Sequence, residues 1–139
     1  MNQMERAGRA KVSQKRVRLI TLTLLLTFAI FRIYLHAFPD TDLNLGPYNI
    51  HHLYTGLILI AAGGIPLAIF HGEGRWLDLA ALVFGVGLSM ALDEWVYLIT
   101  TDGTNASYPL PISFWGGAVM TGLACGYIIV LYLYARRAD

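Results

Sequence analysis

Arg32, His36, His51, His52, Asp93 and Glu94 are ionisable side chains lying within, or at the edge of, otherwise apolar stretches. Polar groups at membrane depth are expensive, so six of them in such company point to a site. Three kinds of chemistry fit these residue types. Neutral imidazoles with carboxylates form a donor set for a divalent ion, Zn, Fe or Mn. The candidate ligands are His36, His52, Asp93 and Glu94, with His51 in reserve. Such an ion would brace the helices or activate water for hydrolysis, and a redox role stays open. A histidine beside a carboxylate also titrates close to neutral pH, which suits proton exchange between the surface and a bound lipid or quinone. In that case Arg32 would hold an anionic head group, with Tyr97 in the same zone. Finally, Arg32 opposite Asp93 or Glu94 makes a buried ion pair, an interhelical clamp in a non-catalytic subunit of a larger membrane complex. An arginine needs one carboxylate, whereas two are present with three histidines, and this surplus favours a site over a clamp alone. The divalent ion is the first expectation. No His-Glu-x-x-His or Glu-x-x-His motif supports it, and the chain has only four histidines.

The elements that must position these groups are long and apolar. Hydrophobic residues make up 56 % of the 139 and charged ones 14 %, against about 25 % in soluble domains. Four stretches, 17–38, 50–71, 76–101 and 112–135, each have the roughly 20 residues that cross about 30 Å of hydrocarbon as a helix. The spacing predicts an all-α, four-transmembrane-helix antiparallel bundle over 17–139, preceded by a basic segment, 1–16, lying against anionic lipid. Arg6, Arg9, Lys11, Lys15, Arg16 and Arg18 gather at the start of the first stretch, Arg75 between the second and third, and Arg136 and Arg137 after the fourth. The connections 39–49 and 102–111 hold Asp40, Asp42 and Asp102 but no Lys or Arg. The positive-inside rule therefore predicts a multi-pass protein of the cell (inner) membrane with both termini cytoplasmic. The first stretch is too long for an ordinary signal-peptide core, and Leu35-His36-Ala37 is a poor cleavage site, so a retained helix is expected.

This threading brings the ionisable groups to one depth. Arg32 and His36 fall near the outer end of the first span, His51 and His52 in the first turn of the second, and Asp93 and Glu94 near the outer end of the third. His71 ends the second span on the opposite side. Asp93 continues the Gly85–Ser89 stripe, and His52 shares a stripe with Gly56 and Gly63, so both are expected to face inward. His51 and Glu94 are rotated by about 100° from them, and either complete the site or lie at another interface. Tyr34, Tyr48, Tyr54, Tyr97 and Tyr108 surround the zone, most of them as interfacial anchors. Pro47 and Pro111 suit first helical turns. In the fourth span, Gly116-Gly117 and Gly122-x-x-x-Gly126 offer close-packing faces, either within the bundle or towards a second copy or a larger complex. Cys125 stands alone, which excludes an internal disulfide. The Asn105-Ala106-Ser107 triplet matches a glycosylation acceptor, a pattern common by chance.

The segment Ile50-His51-His52-Leu53-Tyr54-Thr55-Gly56 is followed by Phe84-Gly85-Val86-Gly87-Leu88-Ser89-Met90-Ala91-Leu92-Asp93-Glu94-Trp95. Together they resemble small bacterial integral membrane proteins that carry a His-His pair with a glycine four residues later. In those proteins a glycine-rich span then ends in Leu-Asp-Glu and an aromatic residue. The resemblance covers spans two and three and implies that His51, His52, Asp93 and Glu94 belong to one site, without assigning a reaction. No P-loop, dinucleotide fingerprint, Ser-His-Asp set or nucleic-acid module is present, and the basic tail reflects membrane orientation rather than nucleic acid.

Overall fold

The computed structural model describes residues 13–38, 44–45, 48–49 and 51–138. Four helices carry the fold: α1 (Gln14–Ala37), α2 (His52–Ile69), α3 (Arg75–Thr100) and α4 (Pro111–Ala138). All four are long and apolar enough to cross a membrane, and the protein is a multi-pass helical membrane protein. Between α1 and α2 lies a two-residue antiparallel pair, β1 (Asn44–Leu45) with β2 (Tyr48–Asn49). Helix α1 starts earlier than the expected 17, and α2 starts at His52 rather than 50. Pro111 opens α4, where its missing N–H costs nothing. Residues 1–12 and Pro47 lie outside the described residues.

α3 is the hub. It packs on each of the other three helices; α1 and α4 also touch one another, whereas α2 has backbone neighbours only on α3. Half of the α3 apolar window is buried inside the protein, against 6 to 11 % for the others. Glycines set these approaches. A Cβ on Gly63 would lie 2.5 Å from the Ala80 carbonyl oxygen and the Phe84 amide nitrogen, and one on Gly56 2.7 Å from the Gly87 carbonyl oxygen. Those contacts are backbone on backbone, so any side chain there would push α2 off α3. On the opposite face of α3, Gly85 admits Thr23 and Ile20 of α1, and Ser89 donates its hydroxyl to the Leu24 carbonyl at 2.8 Å. A Cβ on Gly122 or Gly126 would meet nothing within 4 Å, so among the described residues that face of α4 is open.

The contacts fix direction. Lys15 pairs with Asp78, and Arg16 reaches Asp78 and the Gly72 carbonyl. Arg32, near the other end of α1, pairs with Asp93. Helices α1 and α3 are therefore parallel, with α2 and α4 antiparallel to them. One end holds Lys15, Arg16, Arg75, Arg136 and Arg137, and the other holds the His/carboxylate residues. The tight turn from α2 to α3 uses Gly72 at φ 105°, a left-handed conformation natural to glycine.

Candidate functional site

At the end of the bundle away from the arginines, α3 presents Asp93 and Glu94, each 2 % exposed. Consecutive helical residues point about 100° apart, so the two carboxylates serve different neighbours. Asp93 faces α1 and α4, and Glu94 faces the start of α2.

Arg32 reaches Asp93 from α1. Its Nε donates to Asp93 Oδ1 at 2.6 Å, and its Nη2 donates to the carbonyl oxygens of Ser113 (2.8 Å) and Asp93 (3.4 Å). Its Nη1 donates to Ser113 Oγ at 3.1 Å and to the Tyr108 carbonyl at 3.4 Å. Guanidinium has five N–H donors, and these five contacts use them all. Its planar fork thus joins α1, α3 and α4 through both side chain and backbone. The Tyr108 ring lies under the guanidinium, 4.4 Å from its carbon to the ring centroid. Gly117 leaves the room: a Cβ there would come within 2.6 Å of Asp93 Oδ1 and 2.9 Å of Arg32 Nη2. The sequence-based role of Arg32 as a head-group ligand does not fit this geometry, because no N–H is left to give.

Glu94 has a different set of partners. Its Oε1 lies 2.8 Å from His51 Nδ1, and its Oε2 accepts the Leu53 amide and lies 3.4 Å from His52 Nδ1. The Leu53 amide is among the unpaired donors of the first turn of α2, where His51, at the cap position, supplies no side-chain bond. Glu94 therefore caps α2 from another helix, placing negative charge at a positive helix end. Among the described residues none of the contacts to Glu94 comes from a lysine or arginine.

His52 joins the two halves. Its Nε2 lies 3.3 Å from Asp93 Oδ2, while its Nδ1 faces Glu94. Its ring is steadied by Phe31 at 5.5 Å and, edge-on, by Tyr108 at 5.8 Å. Tyr108 donates its hydroxyl to the same Asp93 Oδ2. Burial above all, then the charge of Asp93, pushes the Tyr108 hydroxyl well above the ordinary tyrosine range, with Arg32 opposing, so it stays a donor. The 102–110 connection that delivers Tyr108 is shaped locally. The Thr104 hydroxyl and amide hold the Asp102 carboxyl below its usual range, and Tyr97 donates its hydroxyl to the Thr104 carbonyl at 3.0 Å.

The structure thus brings together Arg32, Asp93, His52, Glu94 and His51, with the Tyr97 ring 6.3 Å from His51 and 5.3 Å from Tyr108, but it leaves His36 apart. His36 is exposed on a groove between α1 and α4, and Tyr97 anchors the loop beside the cluster. Tyr97 and Tyr108 are buried, unlike the exposed Tyr34 and Tyr54, so these two are site residues rather than interfacial anchors. Ser113 and Tyr108 were missed as partners of Arg32 and Asp93. The signal for Ser113 was its place four residues before Gly117, on the stripe where α4 comes closest.

Among the described residues no group of three or more His, Cys, Asp or Glu side chains is disposed to hold a metal ion. The donors pair off instead: the carboxylate oxygens that a divalent ion would use accept hydrogen bonds from Arg32, Tyr108 and the Leu53 amide. Comparison with protein-family models, curated proteins and solved structures finds no match to this chain.

Proposed function

We propose that this membrane protein handles protons at the Glu94–His52–Asp93 cluster, exchanging them between an aqueous rim at His51 and the buried hydroxyl of Tyr108. The observation that carries this reading is the His52 ring, flanked by a carboxylate oxygen at each nitrogen. A neutral imidazole has a single N–H, and an ionised carboxylate only accepts. The Nε2–Asp93 contact is a hydrogen bond and the Nδ1–Glu94 contact an ion-pair approach at 3.4 Å, so one added proton, on the ring or on a carboxyl, would make both favourable. Charge counting agrees. Arg32, Asp93 and Glu94 sum to −1, and one added proton brings this water-poor cluster to neutrality, which low dielectric favours.

The contacts form a line: His51, Glu94, His52, Asp93, Tyr108. The His51 side chain, 25 % exposed, gives the line an opening. At the other end Tyr108 lines the α1–α4 groove. The exchange is local rather than transmembrane. Asp93 lies about 22 Å along α3 from Asp78, and the fourteen residues between them contain no ionisable side chain. Orientation belongs to this proposal too: the arginine-rich end is cytoplasmic and the cluster faces the opposite side, as the positive-inside rule requires.

A lipophilic carbodiimide tests the reading, because it modifies a protonated carboxyl in apolar surroundings. Purified protein should acquire one adduct at Asp93 or Glu94, faster as pH falls, and His52→Phe should change the rate severalfold. No adduct between pH 5 and 8, with the fold intact, would refute the shared proton. Modification blocked by stoichiometric Zn²⁺ and restored by chelator would move the cluster to metal chemistry.

A further inference from the structure

We infer that the groove between α1 and α4 at the cluster end is a slot for a single-chain lipophilic carboxylic acid, its head at His36 and its chain along Ile33 and Phe114. The groove has a volume of about 360 Å³ and is lined by Arg32, Ile33, His36, Tyr108, Pro109 and Phe114. That volume falls within the roughly 300–1,000 Å³ typical of small-ligand sites. Its wall is apolar except for a few tips: Arg32 is paired with Asp93, His36 is the other basic tip, and among the described residues no carboxylate lines the groove. The complement to such a wall is an apolar body with an anionic head.

Position narrows the head group. His36 lies one turn beyond Arg32, next to the last residue of α1, where a head group can stay in contact with water. Arg32 has its N–H donors engaged inside the protein and its charge offset by Asp93, so among the described residues His36 is the basic side chain left on the wall to meet a head group. A single donor suits a carboxylate better than a phosphodiester, which is best held by several. Ile33 (72 % exposed) and Phe114 (41 % exposed) open the slot sideways, so the chain enters from hydrocarbon rather than through the cluster. Tyr108 forms the shared wall between groove and proton line. The inference deepens the proton-handling reading by supplying its lipid-side partner, and rests on it for that role alone; the groove and its charge stand without it.

The test uses the full chain in neutral micelles with cis-parinaric acid, a fluorescent polyene fatty acid, and its methyl ester. Saturable one-to-one binding of the acid is expected, with the ester about tenfold weaker, the size of losing one charge-assisted hydrogen bond. His36→Ala, at an exposed position, should weaken the acid about tenfold and the ester hardly at all. Ile33→Trp, also exposed, should fill the slot and abolish both. Absent saturation, equal affinity for acid and ester, or displacement of the probe by a two-chain anionic phospholipid as readily as by oleate would each overturn the inference. Acid binding that persists in protein lacking carbodiimide reactivity would sink the proton reading and leave this one standing.

Discussion

Asp93 and Glu94 are neighbours in sequence with opposite dependencies. Asp93 is balanced by a full positive charge, so removing Arg32 leaves a buried carboxylate facing only His52 and Tyr108. Arg32→Met should therefore destabilise the protein by about 3–5 kcal/mol, measured by unfolding in a denaturing-detergent titration. The double variant Arg32→Met/Asp93→Leu should recover at least half of that loss, because it replaces both charges with apolar volume. A double variant no better than the single one would show that Arg32 acts through its backbone carbonyl partners at Ser113 and Tyr108 rather than through charge. An ion pair of Arg32 with Asp93 or Glu94 was legible in sequence, since depth along two rising helices matches them, and the structure pairs it with Asp93. The partnership of Glu94 with His51 was not. Each is rotated off the glycine stripe of its own helix, and only the placement of α2 on α3 shows that the two rotations meet. Tyr108 was less legible still, because a loop conformation rather than a helical period carries it inward.

At the scale of elements, glycine decides which helices are partners and how closely they approach. The Gly56 and Gly63 stripe was read from spacing as a packing face, and both glycines lie against α3 backbone. The spacing of Gly122 and Gly126 is equally regular, yet a Cβ on either would meet nothing within 4 Å among the described residues. A small-residue period marks a capacity for close approach and does not say which neighbour uses it. The contrast is measurable. Gly63→Ala inserts a methyl between two backbones 2.5 Å from its Cβ and should lower stability and separate α2 from α3. The same change at Gly122 fills open space and exchanges a poor helix former for a good one, worth up to about 1 kcal/mol in favour of the helix. Thermal unfolding of the two variants in the same detergent should therefore shift in opposite directions. A Gly122→Ala loss as large as that of Gly63→Ala would show that α4 packs against something outside this chain. Because the α2 backbone has neighbours only on α3 among the described helices, the Glu94 cap at its first turn adds a polar attachment to that packing, so the chemistry of the cluster and the seating of α2 are physically linked.

For the whole molecule, charge and polarity divide along the bundle axis. Apart from Arg32, the described lysine and arginine side chains gather at one end, the imidazole–carboxylate line occupies the other, and the α3 positions between Asp78 and Asp93 are apolar apart from Ser89, whose hydroxyl is bonded to Leu24. Between Asp78 and Asp93, α3 carries no ionisable side chain, so the proposed exchange is confined to the cluster end. Which face that end meets is a matter of insertion energetics, since carrying each cation across the bilayer is costly and the arginines outnumber every other charge near their end. Single-cysteine variants in a Cys125→Ser background should read the outcome directly. Thr104→Cys lies in the exposed 102–110 connection, and Glu73→Cys in the turn between α2 and α3. In intact cells a membrane-impermeant maleimide should label the first and reach the second only after permeabilisation. The reverse pattern would place the histidine line towards the cytoplasm, where the protons it exchanges would come from inside the cell. Labelling of both sites in intact cells would mean that the chain inserts in two orientations, and the charge asymmetry would then be too weak to set a direction.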